Sequence, residues 1–184
     1  NITGGKDIVS FDIADTTIKG ESDIDIDGAV WDIKSCSPWA FKNKWAYGYD
    51  GLKKSDDFGY IAQLYGYSSG QGKPMGGWIT ADKSSGEVLF VEATPTQEET
   101  EAIRANLENT IRTVELDKEF ERCFEPEDEY FYRKPTGNKR LPMNCSFCDY
   151  RATCWPDAEF KPQAGSKAKE PRHFWYTEYN DASD

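Results

Sequence analysis

The sequence has no apolar run of about 18 residues, the length a helix needs to cross a membrane, and no segment typical of a signal peptide. It is also short of positive charge, with 22 lysines and arginines against 33 aspartates and glutamates and a formal net charge of −11. A general nucleic-acid coat protein relies on a basic face, so this balance argues against that class. The single histidine, His173, is expected at the surface. We expect a soluble, cytoplasmic chain with no membrane partner.

Aromatic residues and cysteines, by contrast, are well represented. Phe, Trp and Tyr make up 14% of the 184 residues, so the mean hydropathy of −0.77 does not indicate disorder. The length allows one domain with a sizeable core. The five cysteines are odd in number and include a C-x2-C spacing, which suits metal ligation in a reducing compartment better than a disulfide framework.

The hydrophobic pattern predicts an α/β arrangement. Alternating β-branched and aromatic residues predict three early strands, residues 8–13, 16–26 and 29–34. Asp27-Gly28, between the last two, predicts a hairpin turn. The pattern beyond them predicts a helix, a glycine-rich loop and a second hairpin, over residues 58–68, 68–77 and 77–93.

A long helix is expected after the second hairpin. Thr94 is a suitable N-cap, Pro95 suits the first helical position, and Gln97 completes a capping-box pattern. Apolar spacing then carries the helix to about Phe120. The chain beyond it is polar and turn-rich before the cysteines and weakly patterned after them.

Two acidic residues and a lysine stand at positions that bring them together. On the third predicted strand, the period of two places Asp32 and Lys34 on one face. Trp31 and Ile33 then point into the core on the other. Asp23 lies on the preceding strand of the same hairpin, so its carboxylate and that of Asp32 converge on one cation. Such oxygen ligands suit Mg²⁺ or Mn²⁺, and the backbone carbonyl of Ile33 offers another.

The helix predicted over residues 58–68 adds two polar side chains to this set. Gln63 and Tyr67 are four residues apart and share one helix face. An amide and a phenol there are suited to brace Lys34 and to contact a DNA phosphate or base. Lys34 would position or deprotonate the attacking water, or stabilise the charge of the phosphorane. The set indicates metal-dependent phosphodiester hydrolysis.

A family resemblance rests on two segments, GESDIDIDGAVWDIKS and FGYIAQLYGY. They resemble the PD-(D/E)XK nuclease superfamily, and within it the RecB-like branch that includes phage exonucleases. The resemblance spans roughly residues 15–155 and implies a restriction-endonuclease-like fold, a mixed central sheet flanked by helices. It also implies site roles: metal-binding acids, catalytic lysine and helix motif at Asp23, Asp32, Lys34, Gln63 and Tyr67.

The resemblance further implies a helix ahead of the first strand that supplies another acid or a histidine to the metal. From Asn1 the chain runs almost directly into the predicted sheet, so we expect this helix to be missing. The organisation expected is a nuclease core over residues 1–122, a cysteine metal-binding segment over 123–156 and a polar tail over 157–184.

Three cysteines, Cys145, Cys148 and Cys154, lie within ten residues in C-x2-C-x5-C spacing. A tetrahedral thiolate site needs a fourth ligand, and Cys123 at the end of the long helix is favoured over Cys36, which follows the catalytic strand. The spacing resembles that of the three C-terminal ligands of iron–sulfur nucleases, whose fourth cysteine lies upstream of the nuclease core. We expect a [4Fe–4S] cluster in a structural role, with Zn²⁺ as the alternative.

The segment Ser37–Trp45 mixes three aromatic residues with two lysines, namely Trp39, Phe41, Lys42, Lys44 and Trp45. In a nuclease such a segment is a base-stacking and phosphate-binding surface for single-stranded ends. Equally, the aromatics belong to the core and the lysines to a solvated face. The sequence leaves both interpretations open.

Together with the resemblance, these residues predict a divalent-metal-dependent DNA exonuclease of phage-type replication or recombination. Its DNA is expected to be single-stranded or to have free ends, and its location is the host cytoplasm if it is phage-encoded. The alternative is a non-catalytic nucleic-acid-binding or scaffold subunit that keeps the nuclease fold. The strong negative charge and the missing helix favour this alternative.

Overall fold

The computed structural model describes residues 1–116 and 122–180. The chain divides into two units, Asn1–Glu119 and Phe120–Asp184. The first is a mixed sheet flanked by helices, so the predicted α/β class is confirmed at this level. Within the described residues, no helix is long and apolar enough to cross a membrane.

The first unit contains seven strands among its described residues: β1 (Ile2–Thr3), β2 (Asp7–Ile13), β3 (Thr16–Ser22), β4 (Ile24–Ile26), β5 (Ala29–Cys36), β6 (Met75–Asp82) and β7 (Val88–Glu92). A five-stranded sheet has the order β1-β4-β5-β6-β7, and β2 and β3 form a separate antiparallel pair. The central strands β5 and β6 are parallel, whereas β4–β5 and β6–β7 are antiparallel.

The helices of this unit are α1 (Pro38–Asn43), α2 (Gly48–Lys53), α3 (Tyr60–Gln71) and α4 (Gln97–Glu115), with a 3₁₀ turn at Trp45–Tyr47. A parallel pair of strands needs a long crossover, and α1 to α3 form the one between β5 and β6. These helices cover one face of the sheet, where Val30, Leu64 and Trp78 are completely buried.

The alternation predicted for β5 is correct, but the buried face is the opposite one. Asp32 is buried together with Val30, whereas Ile33 is 51% exposed and Trp31 is only partly buried. The expectation that Trp31 and Ile33 point into the core is therefore wrong. The physical reason is the crossover connection, whose helices pack on the face of β5 that carries Asp32.

The residues at two turns explain why one connection was predicted correctly and the other only in part. Asp27 and Gly28 have φ of 50° and 81°, as a type I′ turn requires, and the predicted hairpin is confirmed. The glycine-rich stretch over 68–77 is not simply a loop, because α3 continues to Gln71 and ends at Gly72 in the left-handed conformation. β6 then begins at Met75.

The long helix starts two residues later than predicted. Its N-cap is Thr96, whose side chain accepts the N–H of Glu99 while the Glu99 carboxylate accepts the N–H of Thr96. This reciprocal box outcompetes a cap at Thr94, because an ionised glutamate is the stronger acceptor at the helix N-terminus. The described helix ends at Glu115, and the predicted end near Phe120 lies outside the described residues.

Among the residues that the structure describes, the second unit contains four strands, β8 (Glu127–Phe131), β9 (Lys134–Arg140), β10 (Glu159–Pro162) and β11 (His173–Glu178). They form an antiparallel sheet in the order β10-β11-β9-β8, with the short helices α5 (Met143–Ser146) and α6 (Arg151–Cys154) between β9 and β10. The stretch over 157–184, predicted as a polar tail, thus contributes two strands to this sheet.

These strands escaped prediction because their signals are missing. The β8–β9 turn has positive φ at Tyr132 and Arg133, where a type I′ turn usually carries Asn-Gly. In β8 the one buried side chain is the acidic Glu129, so apolar alternation is absent. Polar contacts take the place of apolar packing here.

A fully buried carboxylate organises the second sheet. Oε1 of Glu129 accepts a hydrogen bond from the hydroxyl of Tyr176 at 2.5 Å. Oε2 accepts from Thr136 Oγ1 at 2.8 Å and from Asn138 Nδ2 at 3.0 Å. Burial and the adjacent Glu129 raise the pKa of Tyr176. Because buried charge is tolerated only when it is fully hydrogen-bonded, these donors join three of the four strands.

Tyr176→Phe is expected to lower the free energy of unfolding by roughly 1–3 kcal/mol, because Oε1 of Glu129 loses its donor without gaining water. The control is Tyr132→Phe, since Tyr132 is 86% exposed. Urea unfolding followed by far-ultraviolet circular dichroism measures both variants. Equal midpoints for the two would contradict the role given to Glu129.

Candidate active site

Asp23 lies in the one-residue link between β3 and β4, where its Oδ2 accepts the backbone N–H of Ile33 at 2.8 Å. β4 is three residues long and pairs with β5 no further than Trp31. The N–H of Ile33 therefore lies past the end of β4, and a side chain replaces the strand as its partner. Because the N–H and C=O of one strand residue point to the same side, the Ile33 carbonyl faces the side of Asp23.

Asp32 is the most buried member of the site, with 3% of its side chain exposed. Its Oδ2 lies 2.7 Å from Nζ of Lys34, yet no donor among the described residues makes a well-directed hydrogen bond to this buried oxygen. The contact is thus an ion pair, and Oδ2 of Asp32 can still accept a hydrogen bond or bind a cation. Burial raises the pKa of Asp32, Lys34 opposes this, and the adjacent carboxylate of Asp23 raises it further. The two carboxylates are close neighbours.

Lys34 links the sheet to α3. Besides its ion pair with Asp32, its Nζ donates a hydrogen bond to Oε1 of Gln63 at 2.8 Å. Nε2 of Gln63 in turn donates to the hydroxyl of Tyr67 at 3.0 Å. Burial is the main cause that raises the pKa of Tyr67. The structure therefore brings together all five side chains that the sequence selected, from segments about 30 to 45 residues apart.

Two residues that the sequence analysis did not single out shape this network. A Cβ on Gly20 would lie 2.6 Å from Cε1 of Tyr67, so the Tyr67 ring rests on the backbone there. Tyr60 lies beside two amines, with its ring centroid 5.2 Å from Nζ of Lys34 and 5.3 Å from Nζ of Lys44. Gly20 is the first residue of the segment GESDIDIDGAVWDIKS, so its position could have drawn attention to it. Tyr60 has no comparable feature in the sequence beyond its place in a predicted helix.

The segment Ser37–Trp45 is divided between core and surface. Phe41 and Trp45 are buried, as the core interpretation expected, while Trp39 is 72% exposed. Burial lowers the pKa of Lys44, which the nearby aspartates partly offset. The Lys44 amine donates a hydrogen bond to the backbone carbonyl of Ser55. Lys44 therefore stabilises the local fold and does not belong to a solvated face.

The site offers oxygen ligands for one hard cation. The described residues contain no group of three or more His, Cys, Asp or Glu side chains arranged to hold a metal ion. A cation between Asp23 and Asp32 would therefore complete its shell with the Ile33 carbonyl and with water or substrate oxygens. Mg²⁺ accepts this arrangement, since it usually keeps several waters and takes one or two carboxylates. The buried Oδ2 of Asp32 fits this role.

The four cysteines predicted as ligands all lie in the second unit. Cys145 is buried in α5, and Cys154 ends α6. Burial raises the pKa of the Cys145 thiol, and the nearby thiols of Cys148, Cys154 and Cys123 raise it further. The other three sulfurs are thus within electrostatic reach of Cys145, although the described residues contain no cysteine group arranged to hold a metal ion. Cys36 ends β5 in the first unit.

Comparison with protein-family models, with curated proteins and with solved structures found no match to this chain.

Proposed function

We propose that the chain is a divalent-metal-dependent nuclease that hydrolyses phosphodiester bonds in DNA, with a restriction-endonuclease-like core in its first unit. The observation that carries the proposal is one continuous polar network of Asp23, Asp32, Lys34, Gln63 and Tyr67. If Asp32 and Lys34 alternated on an exposed strand by chance, we would not expect Asp32 to be buried or Lys34 to contact both Asp32 and the Gln63 amide of a helix. The network supports chemistry rather than a solvated face.

Each member has a role in this proposal. Asp23 and Asp32 would hold Mg²⁺ or Mn²⁺, which when bound supplies Lewis acidity and an activated water. Lys34, on the same face as Asp32, is within reach of the attacking water and of the charge that develops on phosphate. Gln63 keeps the amine of Lys34 oriented through its 2.8 Å hydrogen bond. Tyr67 orients Gln63 in turn.

The cysteines of the second unit support a second, structural metal centre. We assign it to Cys123, Cys145, Cys148 and Cys154, because the three other thiols act on the buried Cys145 and their spacing suits thiolate ligation. A [4Fe–4S] cluster is the preferred occupant and Zn²⁺ the alternative. Either would fix α5, α6 and the strands around them, in a unit with few buried apolar side chains.

The proposed activity is tested on end-labelled linear DNA and on circular DNA with Mg²⁺ or Mn²⁺. Degradation of the linear DNA alone is expected of an exonuclease. Lys34→Met, which keeps the stem and removes the amine, is expected to lower the rate by roughly 100- to 1,000-fold. Lys73→Met is the control, since Lys73 pairs with Asp25 outside the site. DNA binding without cleavage by the unaltered chain would favour the scaffold alternative.

Asp32→Asn is expected to abolish cleavage and yet to raise the melting temperature at neutral pH. Because burial raises the pKa of Asp32, the folded chain binds that proton more tightly than the unfolded chain. The stabilisation is full below the ordinary aspartate pKa and is lost as pH rises through the raised value. Asparagine does not ionise, so its advantage should be present at about pH 7 and shrink toward about pH 3.

Thermal unfolding in EDTA at several pH values measures this effect without bound metal. The matched control is Asp25→Asn, because Asp25 is equally buried but is paired with Lys73 outside the site. That variant should keep its activity and gain no stability at neutral pH. A melting temperature for Asp32→Asn equal to that of the unaltered chain at every pH would contradict the electrostatic account.

Serine replacement of any one proposed thiol ligand is expected to lower stability by several kcal/mol and to release the metal, because thiolate–metal bonds contribute folding energy directly. Protein purified without oxygen should be brown if the centre is iron–sulfur, or colourless with one zinc if it is not. Elemental analysis and the visible spectrum decide between them. Metal loss in Cys36→Ser but not in Cys123→Ser would reverse the ligand assignment.

A further inference from the structure

A cavity of about 310 Å³ lies in the first unit between the β2–β3 hairpin and α3. Its walls are mostly apolar, and they include Val9, Phe11, Ile18, Ala62 and Leu107. Gln63 and Tyr67 also line it, so the cavity shares a wall with the candidate active site. The contacts of the catalytic network do not use this space.

Two glycines of α3 differ in what surrounds them: helix packing requires Gly70 but not Gly66. A Cβ on Gly70 would lie 2.3 Å from Cγ1 of Val9, so a glycine is needed there for the helix to approach the hairpin. A Cβ on Gly66 would meet only Cδ1 of Phe11, at an ordinary 3.8 Å. Glycine is less favourable than alanine inside a helix, and nothing in the packing around Gly66 explains it. What its small size does is keep the cavity open.

We propose that this cavity binds the base of the nucleotide next to the scissile phosphate. The inference rests on the proposed function and adds to it how the substrate is recognised. A volume of about 310 Å³ is at the lower end of small-ligand pockets, which suits one planar base rather than a longer segment. Apolar walls and the aromatic Tyr67 suit the faces of a base, as in other single-strand binding sites.

The polar groups at the wall fit the rest of such a nucleotide. Lys19, an exposed residue of β3, lines the cavity and carries the charge that a phosphate requires. The Gln63 amide and the Tyr67 hydroxyl offer hydrogen bonds to a base edge. Because Gln63 also holds Lys34, a base seated here would place its own phosphate toward Lys34 and Asp32. Base binding and cleavage would then be coupled.

The test compares two oligonucleotides, one with a normal nucleotide next to the labelled scissile bond and one with an abasic nucleotide there. Cleavage by the unaltered chain should be faster for the normal substrate by about 5- to 150-fold in kcat/KM, the range expected for one base–aromatic stack. Gly66→Leu, which fills the cavity, should bring the ratio close to one. Ser69→Leu is the control, since Ser69 is exposed on the same helix and lines a different pocket, beside Lys73 and Pro74.

A binding measurement separates the pocket from the chemistry. An oligonucleotide with 2-aminopurine at the same position, in Ca²⁺ to slow cleavage, should show fluorescence quenching that Gly66→Leu abolishes and Ser69→Leu retains. Circular dichroism and the melting temperature confirm that each variant is folded. Gly66→Ala should be at least as stable as the unaltered chain.

Equal cleavage of normal and abasic substrates by the unaltered chain would overturn the base pocket while the proposed nuclease stands. An unchanged ratio in folded Gly66→Leu would overturn it as well. Quenching that depends on Gly66 in a chain that cleaves neither substrate would support the pocket and refute the nuclease. Absence of both cleavage and quenching would refute both.

Discussion

The ammonium group of Lys34 is the contact on which the first unit and its site depend. It is the counter-charge of Asp32, a carboxylate almost without solvent, and it also binds Gln63 on α3. A buried charge is costly unless it is paired, so the ion pair with this amine offsets part of the cost of burying Asp32. Because Asp23 adds a second negative charge, the pair is under-compensated. The divalent cation that we propose would supply the missing positive charge.

The topology determines which groups reach that amine. The parallel pairing of β5 with β6 demands a crossover, and the crossover contains α3. The shortness of β4 leaves the backbone of Ile33 open to Asp23. Sheet, link and helix therefore converge on one point, while the β2–β3 hairpin encloses a cavity beside it. Gln63 and Tyr67 belong to the polar network and also line this cavity, so the proposed catalytic site and the proposed base pocket would share these two side chains.

The second unit is stabilised by a different type of interaction. Its sheet is built around the carboxylate of Glu129, and its two short helices carry the thiols of Cys145 and Cys154. A unit this small buries little apolar surface, and small units commonly depend on bound metal or on fully satisfied polar networks. The Glu129 network and the proposed metal centre are both polar, so each requires more exact distances and directions between its groups than an apolar core does. The order of this unit and the proposed metal centre are therefore linked.

Three local features could be predicted from the sequence: the Asp27-Gly28 hairpin, the alternation along β5, and the spacing of Asp32 and Lys34. These follow from φ preferences and strand periodicity, which act over a few residues. The buried face of β5 could not be predicted in this way, because it is set by the tertiary packing of the crossover helices. The same holds for the strands of the second unit, whose β8–β9 turn lacks Asn-Gly, and for the cavity beside Gly66. These depend on partners distant in the chain, and no local pattern encodes them.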